Sequence, residues 1–486
     1  MIKIYDMETL EEREILFRGG SGADVSAPVA EILRAVQERG DAALREYTLR
    51  FDGAAPDALA VTAEEVDQAA AQVEPAFLAV LEEAAEHIRA YHARQKRESF
   101  VMTEREGVVL GQRIIPLARV GIYVPGGTAA YPSTVLMNAI PARIAGVGEI
   151  IMVTPPGRDG AVNPHILAAA KIAGVTRIYK VGGAQAVAAL AYGTGTIPQV
   201  DKIVGPGNAY VAEAKRQVFG RVNIDMIAGP SEVLVLADDS ANPEWLAADM
   251  LSQAEHDALA SAICITDNEA LAHAVIAELE RQSATLPRAD IVRKSLADWS
   301  AVVLVPDMDA AIALANRVAP EHLEVLMREP WSVLPRIRHA GAVFLGPYAP
   351  EPLGDYFAGP NHVLPTLGTA RFSSALSVQT FCKRTSIIAA RIGGLTATPM
   401  VEAALKKPIG RPRSLMLNQS LMTFTPHGFI GASPIPIPIR TNTNCVKLCT
   451  MPDMAWNSDQ KNIPSPSIRR GPLRSNSGPQ GSCAIP

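Results

Sequence analysis

The chain has 486 residues, 48% apolar and 20% charged, with a net charge of −5, so it can bury large cores and is not disordered throughout. The modest acidity carries no nucleic-acid footprint, and no run of 18 apolar residues or apolar secretory leader occurs, which argues against a membrane anchor and points to the cytoplasm. Only Cys264 and Cys382 precede residue 400, which excludes a disulfide framework.

Charge and proline are unevenly spread. Residues 401–486 carry ten Lys/Arg against three Asp/Glu and 12 of the 37 prolines, leaving 35 Lys/Arg against 47 Asp/Glu before them. Residues 1–26 read as an N-terminal arm. From about Ala27 to Arg97, helical spacing such as Ile32/Val36 and Val73/Phe77/Val80/Leu81 predicts a helical segment.

Two units then repeat at an offset of 28 residues: Ile144-Ala145-Gly146-Val147 leading into Ile150–Val153, and Ile172-Ala173-Gly174-Val175 leading into Arg177–Val181. A helix stopped by glycine and feeding a short apolar strand predicts a parallel, doubly wound sheet. Val120–Val124 and Ile203-Val204 supply further strands. After Asp225, the runs Glu232–Leu236, Ala262–Ile265, Val302–Val305 and Ala342–Leu345 predict a second α/β half.

Three glycine-bearing turns follow strands of the first half: Pro125-Gly126-Gly127, Gly182-Gly183-Ala184-Gln185 and Gly205-Pro206-Gly207-Asn208. They sit where backbone N–H groups meet a phosphate in open α/β sheets, or they are tight turns only, since no G-x-G-x-x-G occurs. Gln185 and Asn208 either bind a ligand or cap helices.

Ser252–Asp257 is expected at the end of a helix capped at Asn242-Pro243, with Gln253 and His256 on one face: a metal-ligating pair or a polar helix end. In Pro320-Glu321-His322-Leu323-Glu324, a histidine beside an acid is a general-base candidate, a surface histidine being the commoner outcome. The polar loop Glu351–His362 adds Glu351, Asp355 and His362. This donor set points to zinc, with manganese as a second choice.

Over residues 5–397 these motifs, with Ala228-Gly229-Pro230-Ser231-Glu232 and Asn361–Thr366, make the chain resemble histidinol dehydrogenases. The resemblance implies two doubly wound, incomplete Rossmann-like domains with small helical N- and C-terminal extensions. Residues 27–118 and 231–375 would form a zinc and substrate domain, 119–230 an NAD domain, and 376–397 a helical extension. It implies a homodimer oxidising L-histidinol to L-histidine through the aldehyde, in two hydride transfers to NAD, with one Zn2+ per subunit. Tyr123, Gln185 and Asn208 would contact NAD, and Gln253, His256 and Asp355 would ligate zinc. The same zinc-binding residues, with Ser231, His322, Glu351 and His362, would surround the substrate. His322 would be the general base, helped by Glu321. A relative acting on another small alcohol or sulfonated diol, and a metal-free inactive homologue, are the alternatives.

The pattern departs at the end. The family's closing Glu-Gly-Leu-x-x-His motif, which adds a fourth zinc ligand, is missing, and His427 is the sole histidine after His362. The stretch from about Thr398 to residue 486 reads as an out-of-frame or misassembled tail, expected to be disordered. Cys445 and Cys449 within it read as unstructured cysteines.

Overall fold

A computed structural model describes residues 2–7, 24–126 and 131–390. The expected tail, with His427, Cys445 and Cys449, lies outside the described residues, as does Gly127. Among the described residues, those up to Met102 and from Leu110 to Ile388 form one compact unit, and Thr103–Val109 with Ala389 and Ala390 belong to a second.

The elements in order are β1 (Lys3–Asp6), α1 (Ser26–Arg39), α2 (Asp41–Asp52), α3 (Ala63–Gln72), α4 (Pro75–Ala93), β2 (Phe100–Arg105), β3 (Val108–Pro116), β4 (Arg119–Tyr123), α5 (Pro132–Ala145), β5 (Glu149–Thr154), α6 (Pro164–Ala173), β6 (Arg177–Lys180), α7 (Gly183–Tyr192), β7 (Lys202–Val204), α8 (Ala209–Val218) and β8 (Asn223–Ile224). Then come β9 (Glu232–Ala237), α9 (Pro243–Ala254), β10 (Ser261–Thr266), α10 (Glu269–Ser283), α11 (Ala289–Asp298), β11 (Ala301–Leu304), α12 (Met308–Val318), β12 (His322–Leu326), α13 (Pro330–Val333), β13 (Ala342–Leu345), α14 (Glu351–Tyr356) and β14 (Cys382–Ala390).

Two parallel sheets organise the first unit. One runs β6-β5-β4-β7-β8 and the other β1-β11-β10-β9-β12-β13. The repeat seen in sequence is real structure. Gly146 and Gly174 end α5 and α6 in the left-handed conformation, at φ 92° and 75°, and each chain then turns into β5 or β6. Helix α5 is buried from Ser133 to Ala142, as expected of a helix apolar on every side.

Several expectations change. The segment at 27–97 is four helices, and α1 buries its Val29/Ile32/Leu33/Val36 stripe in a cluster with Tyr123, Ile151 and Val153. The four helices pack on the helices that cover the first sheet, and α4 also meets the 357–361 stretch, His87 Nδ1 lying 2.9 Å from the Phe357 carbonyl oxygen. The N-terminal arm includes β1, which pairs in parallel with β11. The stretch at 376–397 is not helical where described: a 3-10 turn at Val378–Phe381 passes into β14. The β-branched residues Thr385, Ile387 and Ile388 suit an extended edge better than a helix.

Beyond the carboxyl ends of β7 and β8, Lys215 of α8 and Asp225 form an ion pair with both side chains 2% exposed. Lys215 Nζ also donates to the Gly205 carbonyl at 2.9 Å, and Asp225 Oδ2 accepts from Gly205 N at 2.8 Å. Gly205 has φ 107°, and a Cβ there would stand 2.1 Å from the Tyr123 carbonyl oxygen. The pair therefore pins the turn that leads to Asn208 against the end of β4.

Candidate active site

Two sets of side chains collect at opposite kinds of sheet edge. The first lies beyond the carboxyl ends of the first sheet's strands. Tyr123 closes β4, and its hydroxyl accepts a hydrogen bond from Gly183 N at 3.0 Å. Burial pushes this phenol up to about 12. Gln185, in the first turn of α7, is 1% exposed, and neither polar atom of its amide has a partner. Asn208 caps α8, its Oδ1 accepting from Tyr210 N and Val211 N, each at 3.1 Å. A cavity of about 910 Å3 opens along this edge beside Asp52, Pro125, Gly126, Thr154, Asn163 and Lys180. Glycine is required at two of the turns: a Cβ on Gly126 or Gly182 would stand 2.4 or 2.6 Å from Pro155.

Asp52 at this cavity has one buried carboxylate oxygen without a partner, and burial raises it from 3.8 to about 6. Its ionised form is therefore disfavoured by folding: the stability cost is absent below about pH 4, grows as pH rises, and is complete above about 6. Asp52→Asn should raise the melting temperature at pH 7.5 and leave it unchanged at pH 3.5. Equal shifts at both values would show that the carboxylate is not the cause.

The second set gathers at the amino ends of the second sheet. His322 opens β12, beside Val233 of β9 and Ala342 of β13, and is 2% exposed. The surface histidine is thus a buried one. Its Nδ1 lies 3.0 Å from the Glu232 carbonyl oxygen, which makes Nδ1 the donor and leaves Nε2 to face Asp355 Oδ1 at 3.2 Å. Glu321 Oε2 stands 3.7 Å from Nδ1, too far for a hydrogen bond, and instead accepts from Glu232 N at 2.9 Å. Glu321 therefore acts on His322 through charge. Burial lowers the imidazole's affinity for a proton, but Glu321, Asp355 and Glu351 outweigh it and carry His322 up to about 10. Burial pushes Glu321 up to about 8.

Glu351 and Asp355 come from α14, so the expected loop begins with a short helix. One ligand atom each from His322, Glu351 and Asp355 fall within 4.8 Å of one another. His362 follows, its Nδ1 2.9 Å from the Asp355 carbonyl oxygen. Ser231 precedes β9, and its carbonyl accepts from Ser261 N.

Helix α9 begins as expected, with Asn242 Oδ1 accepting from Glu244 N at 2.8 Å. It ends at Ala254, so His256 lies past it and not on its face; His256 N donates to the Gln253 carbonyl at 3.2 Å. Because α9 follows β9 and runs back against it, its last turn returns to the amino edge where His322 sits. Gln253 is 1% exposed with both amide atoms unpartnered, and His256 feels the charges of Asp355 and His322. A buried amide with no partner is costly, and a bound cation or substrate at its oxygen would relieve it.

Three contributors were not singled out in the sequence: Glu232, whose carbonyl accepts from the histidine's Nδ1, the buried acid Glu324 and the half-buried Asp249. Glu232 carried a legible signal, since it closes a Gly-Pro-Ser-Glu turn at the start of a strand. Among the described residues no helix is long and apolar enough to cross a membrane.

The sequence profile of the family described as histidinol dehydrogenase matches residues 18–404. The chain is 63% identical over 371 residues to the histidinol dehydrogenase of Nitratidesulfovibrio vulgaris, covering 75% of this chain and 85% of that protein. It is 54% identical over 415 residues to that of Moorella thermoacetica, covering 84% and 97%. The crystal structure of histidinol dehydrogenase from Elizabethkingia anophelis superposes with a TM-score of 0.80 at 38% identity, covering 84% of this chain and 94% of that one. A match that takes in every residue of the two clusters leaves one assignment: the chain belongs to the histidinol dehydrogenases, the oxidoreductases of histidine biosynthesis.

Proposed function

We propose that this chain, in the cytoplasm and as a homodimer, oxidises L-histidinol to L-histidine through the aldehyde, passing two hydrides to NAD, with one zinc ion held by Gln253, His256 and Asp355. The observation that carries this reading is a buried imidazole hydrogen-bonded by the Glu232 carbonyl and set against Asp355, with the buried Gln253 amide unpartnered at the end of α9. The donor set of one amide oxygen, one imidazole and one carboxylate fits a borderline cation. Zinc would supply a positively charged template for the nitrogens of the amino-alcohol substrate and would engage the carboxylate that otherwise occupies His322 Nε2.

The chain's own residues do the proton work. With Asp355 engaged elsewhere and no longer holding a proton on Nε2, the neutral His322 takes the hydroxyl proton at Nε2 as hydride leaves the alcohol carbon for NAD, giving the aldehyde. Once that proton has passed to solvent and a second NAD has replaced the NADH, the same nitrogen removes a proton from water as it adds to the aldehyde, and the hydrate loses the second hydride to NAD, leaving the carboxylic acid. Glu321 stabilises the imidazolium formed each time. Ser231, Glu351 and His362 hold the substrate. Tyr123, Gln185 and Asn208 receive NAD at the first sheet's carboxyl edge, where the unpartnered Gln185 amide is the group awaiting a ligand.

The test is NADH released per histidinol by the zinc-supplemented protein. Two NADH per histidinol support the reading. NADH from other polyols, with none from histidinol, overturns it.

The zinc assignment has its own consequence. Gln253→Leu keeps the volume and removes an unpartnered buried amide, so the metal-free protein should melt no lower than the parent while zinc content falls below a tenth of one per chain, about a tenfold loss for one ligand. Full zinc content in the variant would remove Gln253 from the ligand set.

A further inference from the structure

Behind the substrate cluster lies a pair of acids that the proposed reaction does not use. Glu324 stands two residues after His322 on the same face of β12 and is 1% exposed. Its Oε1 accepts from Glu351 N at 3.0 Å, fastening the first residue of α14. Its Oε2 is buried with no donor to satisfy it. The group that meets Glu324 from the other side is the Asp249 carboxyl on α9, one turn before Gln253.

Two carboxylates in contact, one fully buried and the other half-buried, disfavour being ionised together, and neither has a hydrogen atom to offer unless one keeps its proton. With one proton between them, the otherwise orphaned Oε2 gains a partner. We propose that Asp249 and Glu324 form a carboxylic acid–carboxylate hydrogen bond that acts as a positioning bridge, tying α9, which carries Gln253 toward the site, through β12 to the start of α14, which carries Glu351 and Asp355.

This bridge explains why a central strand of the sheet points an acid inward. Residues from α9 and α14 are brought to His322 by separate connections, and a fold this size tolerates shifts of an ångström between such elements unless something links them. Burial raises Asp249 to about 6 and raises Glu324, the direction a shared proton requires. The bridge is a property of the folded chain, while its effect on turnover rests on the functional reading above.

Asp249→Ala removes the bridge and leaves Glu324 unsatisfied; Asp249→Asn keeps a donor that can reach Glu324 Oε2. In metal-free protein, amide hydrogen exchange over residues 351–357 should speed up about tenfold or more in the alanine variant and match the parent in the asparagine variant. In zinc-supplemented enzyme, kcat for histidinol should fall about tenfold or more with alanine, with KM for NAD unchanged, and recover to within about twofold with asparagine. Parental exchange and kcat in Asp249→Ala overturn the bridge, and so does an asparagine variant as impaired as the alanine one. If Asp249→Ala does not fold, Glu324→Gln decides: its amide still accepts from Glu351 N and donates to Asp249, so near-parental exchange supports the bridge and rapid exchange overturns it. Because the exchange readout needs neither zinc nor substrate, failure of the functional reading leaves it intact.

Discussion

Replacing His322 by Asn is expected to lower kcat for histidinol about a thousandfold, the usual range for loss of a positioned general base, while zinc content and NAD binding stay at parental levels. The asparagine amide nitrogen occupies the place of Nδ1, so the hydrogen bond to the Glu232 carbonyl survives and β12 keeps its seat between β9 and β13. What disappears is Nε2, the atom that faces Asp355. Both oxidations depend on that atom in the proposed sequence, so the aldehyde should be no better a substrate for the variant than the alcohol. A variant that keeps a tenth of parental turnover would sink the role given to His322. One that oxidises aldehyde normally but not alcohol would confine the role to the first step.

The largest effect on stability is expected at the buried ion pair beneath the Gly205 turn. Lys215→Met leaves Asp225 as an uncompensated buried charge and removes the donor to the Gly205 carbonyl, and breaking such a pair costs about 3–5 kcal/mol. The unfolding midpoint in urea should fall accordingly. Lys215→Met combined with Asp225→Asn should recover much of the loss, because a neutral amide at 225 escapes the cost of desolvating a charge. If the single variant unfolds at the parental midpoint, the pair is not stabilising the turn. NAD binding should weaken alongside stability, since the same turn leads into Asn208.

How much was readable before folding can be traced through particular residues. Gly146 and Gly174 declared themselves because a helix-ending glycine needs a conformation other residues avoid, and the apolar strand after each is short and unambiguous. Asn242-Pro243 marked the start of α9 for the same local reason. Strand β12 was passed over: His322-Leu323-Glu324-Val325-Leu326 does alternate, but its polar members face a buried site and read as a surface segment. Helices α1 to α4 were legible as helices, while an apolar stripe specifies only that it must be covered and not by which elements, here the helices of the first sheet and, for α4, Val363 and Phe381 as well.

By itself, then, the sequence determined the family, the parallel α/β class, the helix stops and the residue types of the site, all of which depend on local conformation or on motifs read in order. Only the tertiary structure decided that the candidate residues divide between the carboxyl edge of one sheet and the amino edge of the other, and that Glu232 rather than Glu321 hydrogen-bonds His322. Those outcomes depend on contacts between segments up to about ninety residues apart, such as Glu232 and His322, and on burial that leaves a polar atom only the partners the packing supplies.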